Sequence, residues 1–234
     1  MAKVLAVFAH PDDESFGPGG TLALWAQANA EIHLVCVTRG EVGCNTTDEP
    51  TAEVRERELR AAADILGISS VEFLNFVDGD LSNRSMIALA DILGKKIESF
   101  EPDTVLTFGL NGVSGHLDHM AVASATTQAF KRTAKEGEIY YYVLPKRYTD
   151  AVGDYFVYFP DGYEEDQIDV EIDVSLAWEE RMQAMHCHKS QLDDILEITK
   201  NPAFQEKKEH FIVRTLADLR PPASGTNHDD TAAQ

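Results

Sequence analysis

The feature that most constrains the fold is an alternation. Short apolar runs of strand length recur through the first 145 residues, each followed by a segment whose apolar residues repeat at helical spacing, and this is the pattern of a parallel sheet with crossover helices. The strand-like runs are residues 3–9, 32–37, 71–76, 103–108 and 139–144. Helical patterns cover 19–29, 53–66, 85–100 and 117–135, the second stopping at Gly67, a C-cap residue type. The expected fold class is therefore α/β: a Rossmann-like open sheet, mostly parallel, with helices on both faces. At 234 residues the chain fits one domain of ordinary size. Residues 1–145 make up the expected core. In 146–220 the pattern weakens to strand-like pieces at 155–159 and 167–174 and helices at 175–192 and 203–219, read as a small C-terminal α+β appendage that packs on one sheet edge within the same domain. From Pro221 to 234 the composition turns to Pro, Ser, Gly, Asn and Asp, which predicts a disordered tail.

Charge excludes several function classes. Forty acidic against 20 basic residues give a formal net charge of −20, so nucleic acid and anionic membrane, which demand a basic footprint, are not expected partners. No apolar stretch approaches the roughly 18 residues of a spanning helix, and the N-terminus shows no cleavable signal pattern. The three cysteines, Cys36, Cys44 and Cys187, are odd in number and widely spaced, which suits reduced thiols in a cytoplasmic protein. The strand containing Tyr140, Tyr141 and Tyr142, together with the appended strands, offers an apolar surface for a homo-oligomer.

The chemistry is concentrated in two places. Ala9-His10-Pro11-Asp12-Asp13-Glu14 follows the first apolar run, and gathers one imidazole and three carboxylates in a single turn. Such a group repels and desolvates itself unless a cation organises it, although Pro-Asp-Asp is also ordinary turn chemistry. The second place is Gly109 to His119, a glycine-rich loop with His116 and His119 three residues apart at the start of a helix and hence on one face. In a doubly wound sheet the first and fourth strands flank the point where strand order reverses, and ligands bind outside their carboxyl ends. Topology thus brings both clusters to one crevice. Imidazole and carboxylate without thiolate suit zinc or another first-row divalent ion, and two histidines with one carboxylate leave the open position of a catalytic site. The surplus groups are then available as general base and general acid.

Other features receive plainer readings. Gly17-Pro18-Gly19-Gly20 before a helix invites comparison with a phosphate loop, but it lacks the G-x-G-x-x-G spacing and lies beside the acidic turn, so a nucleotide- or metal-binding module without chemistry is the weaker alternative. His33 reads as a core or interface residue, and Asp78-Gly79-Asp80, which follows the third strand, as turn chemistry, with a place lining the crevice as the alternative. The loop from Glu41 to Thr51 reads as a substrate lid or a solvated connection.

Four motifs together, Ala9 to Glu14, Thr38-Arg39-Gly40-Glu41, Arg55-Glu56-Arg57-Glu58-Leu59 and Gly115-His116-Leu117-Asp118-His119, resemble the PIG-L/LmbE-like family of zinc-dependent N-acetylglucosaminyl deacetylases over roughly residues 4–135. His188-Lys189-Ser190-Gln191 is similar to a further family motif. The resemblance implies His10, Asp13 and His119 as zinc ligands and Asp12 as general base. It implies His116 as the acid or oxyanion-stabilising imidazole, oriented by Asp118, whose carboxylate would raise the His116 pKa. Arg55 matches a substrate-contacting arginine; Glu41, Ser114 and His188 complete the expected substrate-binding set. Two positions depart from the family: Leu117 stands where proline is usual, and Ser114 where some members have an oxyanion-holding tyrosine. The implied substrate is a small N-acetylated amino sugar or glycoside, with another N-acyl metabolite or thiol conjugate as the alternative.

Overall fold

The five apolar runs form five parallel strands. The computed structural model of the chain describes residues 1–45, 47–150 and 159–220. In order along the chain, β1 (Lys3–Phe8), α1 (Gly19–Gln27), β2 (Glu31–Thr38), α2 (Thr51–Leu66), β3 (Ser70–Phe76), α3 (Asn83–Phe100), β4 (Thr104–Phe108), α4 (Leu117–Thr133) and β5 (Glu138–Val143) alternate as the pattern requires. Gly67 ends α2 at φ 74°, a left-handed conformation that glycine adopts without penalty. The sheet order is β3-β2-β1-β4-β5, continued beyond β5 by β7 (Lys208–Thr215) and then β6 (Val170–Asp173), so β1 and β4 are neighbours and the chain reverses direction of winding between them.

Strand periodicity explains the layers. Val4, Ala6 and Phe8 point to one face, where they pack with Leu22 of α1 and Leu59 of α2; Leu5 and Val7 point to the other, against Leu93 of α3 and Phe130 of α4. Both faces of the strands are covered, as a parallel sheet needs.

The C-terminal part differs from the expectation. Residues 203–219 do not form one helix: between a 3-10 turn at Pro202–Glu206 and a single helical turn at Leu216–Leu219, Lys208–Thr215 is strand β7, antiparallel between β5 and β6 (Val170–Asp173), with Tyr142 opposite Phe211. The segment therefore extends the sheet instead of capping its edge, and the Tyr140–Tyr142 strand, expected to offer an oligomer surface, is paired on that side by β7 of the same chain. The expected helix over 175–192 is also divided. A 3-10 turn at Ser175–Ala177 leads into α5 (Trp178–Met185), the chain reverses through His186–His188 and a 3-10 turn at Lys189–Gln191, and α6 runs from Leu192 to Lys200. The expected strand at 155–159 and the tail from Pro221 fall outside the described residues, apart from Phe159, which is not in a strand. Among the described residues no helix is long and apolar enough to cross a membrane.

Strand β7 also decides the glycine-rich stretch before α1. Glu209, fully buried, accepts hydrogen bonds from the amides of Gly20 (2.9 Å) and Thr21 (2.8 Å) and pairs with buried Arg181 at 3.2 Å. The helix N-terminus, where a phosphate would have to sit, already holds a carboxylate of the chain itself. At Gly20 an added Cβ would lie 2.6 Å from Cβ of Val174, so the glycine is there for close packing.

Candidate active site

The turn after β1 is held in an unusual conformation. Asp12 has φ 117°, a region that side-chain-bearing residues rarely adopt and that costs about 1–3 kcal/mol. Its carbonyl accepts from the amides of Ser15 (2.9 Å) and Phe16 (2.8 Å), and its own amide donates to Glu14 Oε2 at 3.1 Å. Asp13 Oδ2 accepts from the amides of Ala9 (3.0 Å) and His10 (2.8 Å), which fixes that carboxylate against the end of β1.

Three lone pairs converge beside it. His10 Nε2 faces Asp78 Oδ1 at 3.0 Å and Asp118 Oδ2 at 3.3 Å, so its proton belongs on that side. His119 Nδ1 donates to the Gly112 carbonyl at 3.1 Å. The nitrogens left over, His10 Nδ1 and His119 Nε2, lie 3.2 Å apart, with Asp13 Oδ1 3.3 Å from His119 Nε2 and Asp13 Oδ2 3.7 Å from His10 Nδ1. Acceptors facing one another at this range call for a shared cation. The spacing suits one: ligands about 2.1 Å from a tetrahedral ion stand about 3.4 Å from each other. Burial lowers the proton affinity of His10, but the hydrogen bonds to Asp118 and Asp78 and the charge of Asp13 more than reverse this, to a pKa of about 10. Asp13, despite burial, is held well below the usual carboxylate range by the charges and hydrogen bonds of His119 and His10. Both shifts report a site that stabilises positive charge. Ligand-type atoms of His10, His116 and His119 also lie within 4.8 Å of one another, as do those of His10, Asp78 and Asp118. In the second group the two carboxylates are the hydrogen-bond acceptors that orient His10.

Asp12 adjoins this cluster and is gripped from two directions. Arg55 Nη2 donates to Asp12 Oδ2 at 2.8 Å and to the Pro11 carbonyl at 2.6 Å, while Nη1 donates to the Gly40 carbonyl at 3.0 Å. Burial pushes the Asp12 pKa up to about 6, against the opposing charge of Arg55. Glu14, fully buried, holds the Asp12 amide through one oxygen and accepts from His188 Nε2 at 2.8 Å through the other.

The expected residues therefore divide. His10, Asp12, Asp13, Arg55, Ser114, His116 and His119 all line one cavity of about 840 Å³. Asp118 is close by but not in the expected arrangement: its carboxylate bonds His10 and the amides of Gly79 (2.8 Å) and Leu81 (3.2 Å), and it is the Asp118 backbone amide that donates to His116 Nδ1, at 3.2 Å. Nor is the His116 pKa raised; burial and the neighbouring His119 and His10 lower it, with Asp118 only partly offsetting them. His188 does not reach the cavity, being fully buried behind Glu14, and Glu41 turns its carboxylate to the Asp78 amide at 2.9 Å. Arg55, although on the cavity wall, is committed to Asp12. Asp78 follows the crevice alternative rather than turn chemistry: it partners His10 at 3.0 Å and lines the cavity, as its place directly after β3 at the same sheet edge allows. His33 stacks on Phe100 with centroids 3.9 Å apart, away from the site.

Residues 5–130 match the family described as GlcNAc-PI de-N-acetylase, PIG-L. The chain belongs to the PIG-L family. Its curated relatives include a probable N-acetyl-alpha-D-glucosaminyl L-malate deacetylase 2 of Bacillus anthracis, 35% identical over 132 residues that span 54% of this chain and 58% of that protein, and thus less than two thirds of the relative. A 1D-myo-inositol 2-acetamido-2-deoxy-alpha-D-glucopyranoside deacetylase of Mycobacterium sp. (strain KMS) is 28% identical over 82% of this chain and 75% of its own length. The N,N'-diacetylchitobiose deacetylase of Pyrococcus horikoshii superposes with a TM-score of 0.70 at 21% identity, covering 95% of this chain and 87% of that one, which establishes the shared fold. The PIG-L match runs from β1 almost to the end of α4 and contains the convergent His10, Asp13 and His119. Helix α6 and the wall it contributes lie beyond it.

Proposed function

We propose that the chain is a metal-dependent hydrolase that removes the acetyl group from an N-acetylated amino sugar or glycoside. The observation that carries the reading is the convergence of His10 Nδ1, His119 Nε2 and Asp13, with the N–H of each imidazole directed outward, beside a buried carboxylate, Asp12. Zinc, or another first-row divalent ion, held by these three residues would supply an acidified water and polarisation of the acetyl carbonyl.

The chain's own groups then divide the proton work. Asp12 Oδ2 is occupied by Arg55, which leaves Oδ1 to take a proton from the attacking water. A carboxyl with a raised pKa retains that proton long enough to pass it to the departing amine, which is a poor leaving group until protonated. His116 accepts a backbone hydrogen bond at Nδ1, so its proton lies on Nε2, the atom that would donate to the developing oxyanion. Its lowered proton affinity keeps the ring neutral, a donor in the manner of an electrophilic imidazole. Ser114, on the same wall, is a second candidate donor. Three unbridged cysteines suit a cytoplasmic setting.

Acetate release from a panel of N-acetyl sugars, measured with and without a chelator, tests the reading. Chelator-sensitive release is expected. Hydrolysis that survives complete metal removal would sink it, and release only from thiol conjugates would move the assignment to an amidase.

A further inference from the structure

Two fastenings of the loop after β2 lead straight into the reaction centre. Arg55, reaching in from α2, donates through Nη1 to the Gly40 carbonyl (3.0 Å) and through Nη2 to Asp12 Oδ2 (2.8 Å). The Gly43 amide donates to the same Gly40 carbonyl at 3.1 Å, which closes the loop against the guanidinium. Val42 donates its amide to Asp78 Oδ2 at 3.0 Å, and the other oxygen of Asp78 lies 3.0 Å from His10 Nε2. Val42 and Gly43 also line the cavity, and Val42 is 71% exposed. The segment that faces an incoming ligand is thus one bridging side chain away from both Asp12 and His10. Glycine is required where the guanidinium lies: a Cβ built on Gly43 would stand 2.3 Å from Arg55 Nη1, and one on Gly40 2.4 Å from it. Gly40 also has φ 65°, whereas Gly43 lies outside the left-handed region, so the close neighbour that excludes a side chain at Gly43 is the arginine.

We propose that the loop from Gly40 to Gly43 is a positioning strap for Asp12, acting through the Arg55 guanidinium, so that this part of the cavity wall and the proton-transferring carboxylate move together. The role of Asp12 as base rests on the deacetylase reading. A guanidinium is a rigid planar fork, so pushing the nitrogen on one edge carries the nitrogen on the other edge with it. For a methyl group at residue 43 to reach ordinary contact, Nη1 must retreat by about 1 Å, which draws Nη2 away from Asp12 Oδ2 and the Pro11 carbonyl. A misplacement of about 1 Å at a reacting group costs about 10²-fold in rate. Both η nitrogens of Arg55 already donate within the chain, so its effect on turnover runs through Asp12 and not through a contact of its own with substrate.

A double-substitution cycle on the full-length protein tests the coupling: wild type, Gly43→Ala, Arg55→Lys and the two combined. Lysine keeps a positive charge for Asp12 but has no second nitrogen on the loop, so a methyl group at residue 43 has little to displace. With zinc loaded and N-acetyl-D-glucosamine as substrate, Gly43→Ala is expected to lower kcat about 10–100-fold at an unchanged KM, with full metal content by elemental analysis. Arg55→Lys should likewise lower kcat, and adding Gly43→Ala to it should cost less than about twofold more. Urea midpoints of the four metal-free proteins give the same cycle without zinc or substrate: Gly43→Ala should lower the midpoint of the wild type and leave that of Arg55→Lys unchanged. Effects that add in either cycle overturn the coupling. So does a KM rise at constant kcat in either single variant, which would make the loop and the arginine substrate contacts. A Gly43→Ala protein that folds only together with Arg55→Lys supports the coupling, and one that folds in neither background counts against it. If the wild type releases no acetate from any N-acetyl sugar, the deacetylase reading falls and with it the role of Asp12, while the urea cycle still decides whether loop and arginine are coupled.

Discussion

His188 Nε2 lies 2.8 Å from Glu14 Oε1, and neither side chain is exposed to solvent. Glu14 carries the strain of the active-site turn, because its other oxygen accepts the amide of Asp12 at 3.1 Å. Residues 174 positions apart are thus joined at the one point where the backbone adopts a costly φ. Ser190 and Gln191 strengthen the join: Ser190 donates to Glu58 from both its amide (2.9 Å) and hydroxyl (2.6 Å), and Gln191 donates to the Cys44 carbonyl at 3.1 Å.

His188→Ala is accordingly expected to act on stability. Removing one member of a buried pair leaves the other charged and unsolvated, at about 3–5 kcal/mol. Urea denaturation measures it. Glu14→Gln, which keeps an acceptor for the Asp12 amide, should cost less. A His188→Ala variant with unaltered stability but a raised KM would return His188 to the substrate-contacting role.

Asp118 gives a second prediction. With its carboxylate on His10, Asp118→Asn should weaken metal binding by about 10–100-fold, the usual effect of losing an orienting partner behind a ligating imidazole. Competition with a chromogenic chelator reads the affinity directly. Unchanged affinity with collapsed turnover would instead assign the carboxylate to His116.

The sequence makes the two clusters legible because strand order follows from the βα alternation, and position at the carboxyl ends of β1 and β4 follows from strand order. What it does not resolve is which imidazole a carboxylate faces. Asp118 lies between His116 and His119 in the chain, yet its side chain bonds His10, 108 residues away, a choice made by rotamer and by the approach of Gly79 and Leu81. Strand β7 escapes the sequence pattern for a related reason. Lys207, Lys208, Glu209, His210 and Arg214 give it a charged, helix-like appearance, but Glu209 and His210 are buried because Arg181, the α1 N-terminus and Glu171 supply partners. Those partners lie on other elements, so no local pattern announces them.

Burial of His210 predicts a pH dependence of stability. Its ring faces Glu171 at 3.2 Å, Arg147 at 3.4 Å and the Tyr148 ring. Burial and then the charge of Arg147 lower its pKa below the ordinary 6.5, with Glu171 and Glu165 opposing. The unfolded chain therefore binds the proton more readily than the folded one. The stability of the neutral ring is fully present above pH 6.5 and is lost as pH falls from there toward the lowered native value. Thermal unfolding between about pH 7 and 5 should show a steeper fall for the wild type than for His210→Gln. Parallel curves would contradict it.

Asp12→Asn separates binding from chemistry. Asparagine shares with aspartate a tolerance for positive φ, so the turn at 117° should survive, as should the Oδ2 contact with Arg55 through the amide oxygen. The metal ligands His10, Asp13 and His119 are untouched. What the substitution removes is the capacity of Oδ1 to take a proton, and general-base catalysis contributes about 10²–10⁴-fold. The variant is expected to retain its full metal content by elemental analysis while kcat falls by that factor. His119→Ala should do the reverse and lose the metal first, because it deletes one of the three converging lone pairs. If Asp12→Asn kept full turnover, the base would have to be sought elsewhere in the cavity; if it lost the metal, Asp12 would be a ligand in its own right.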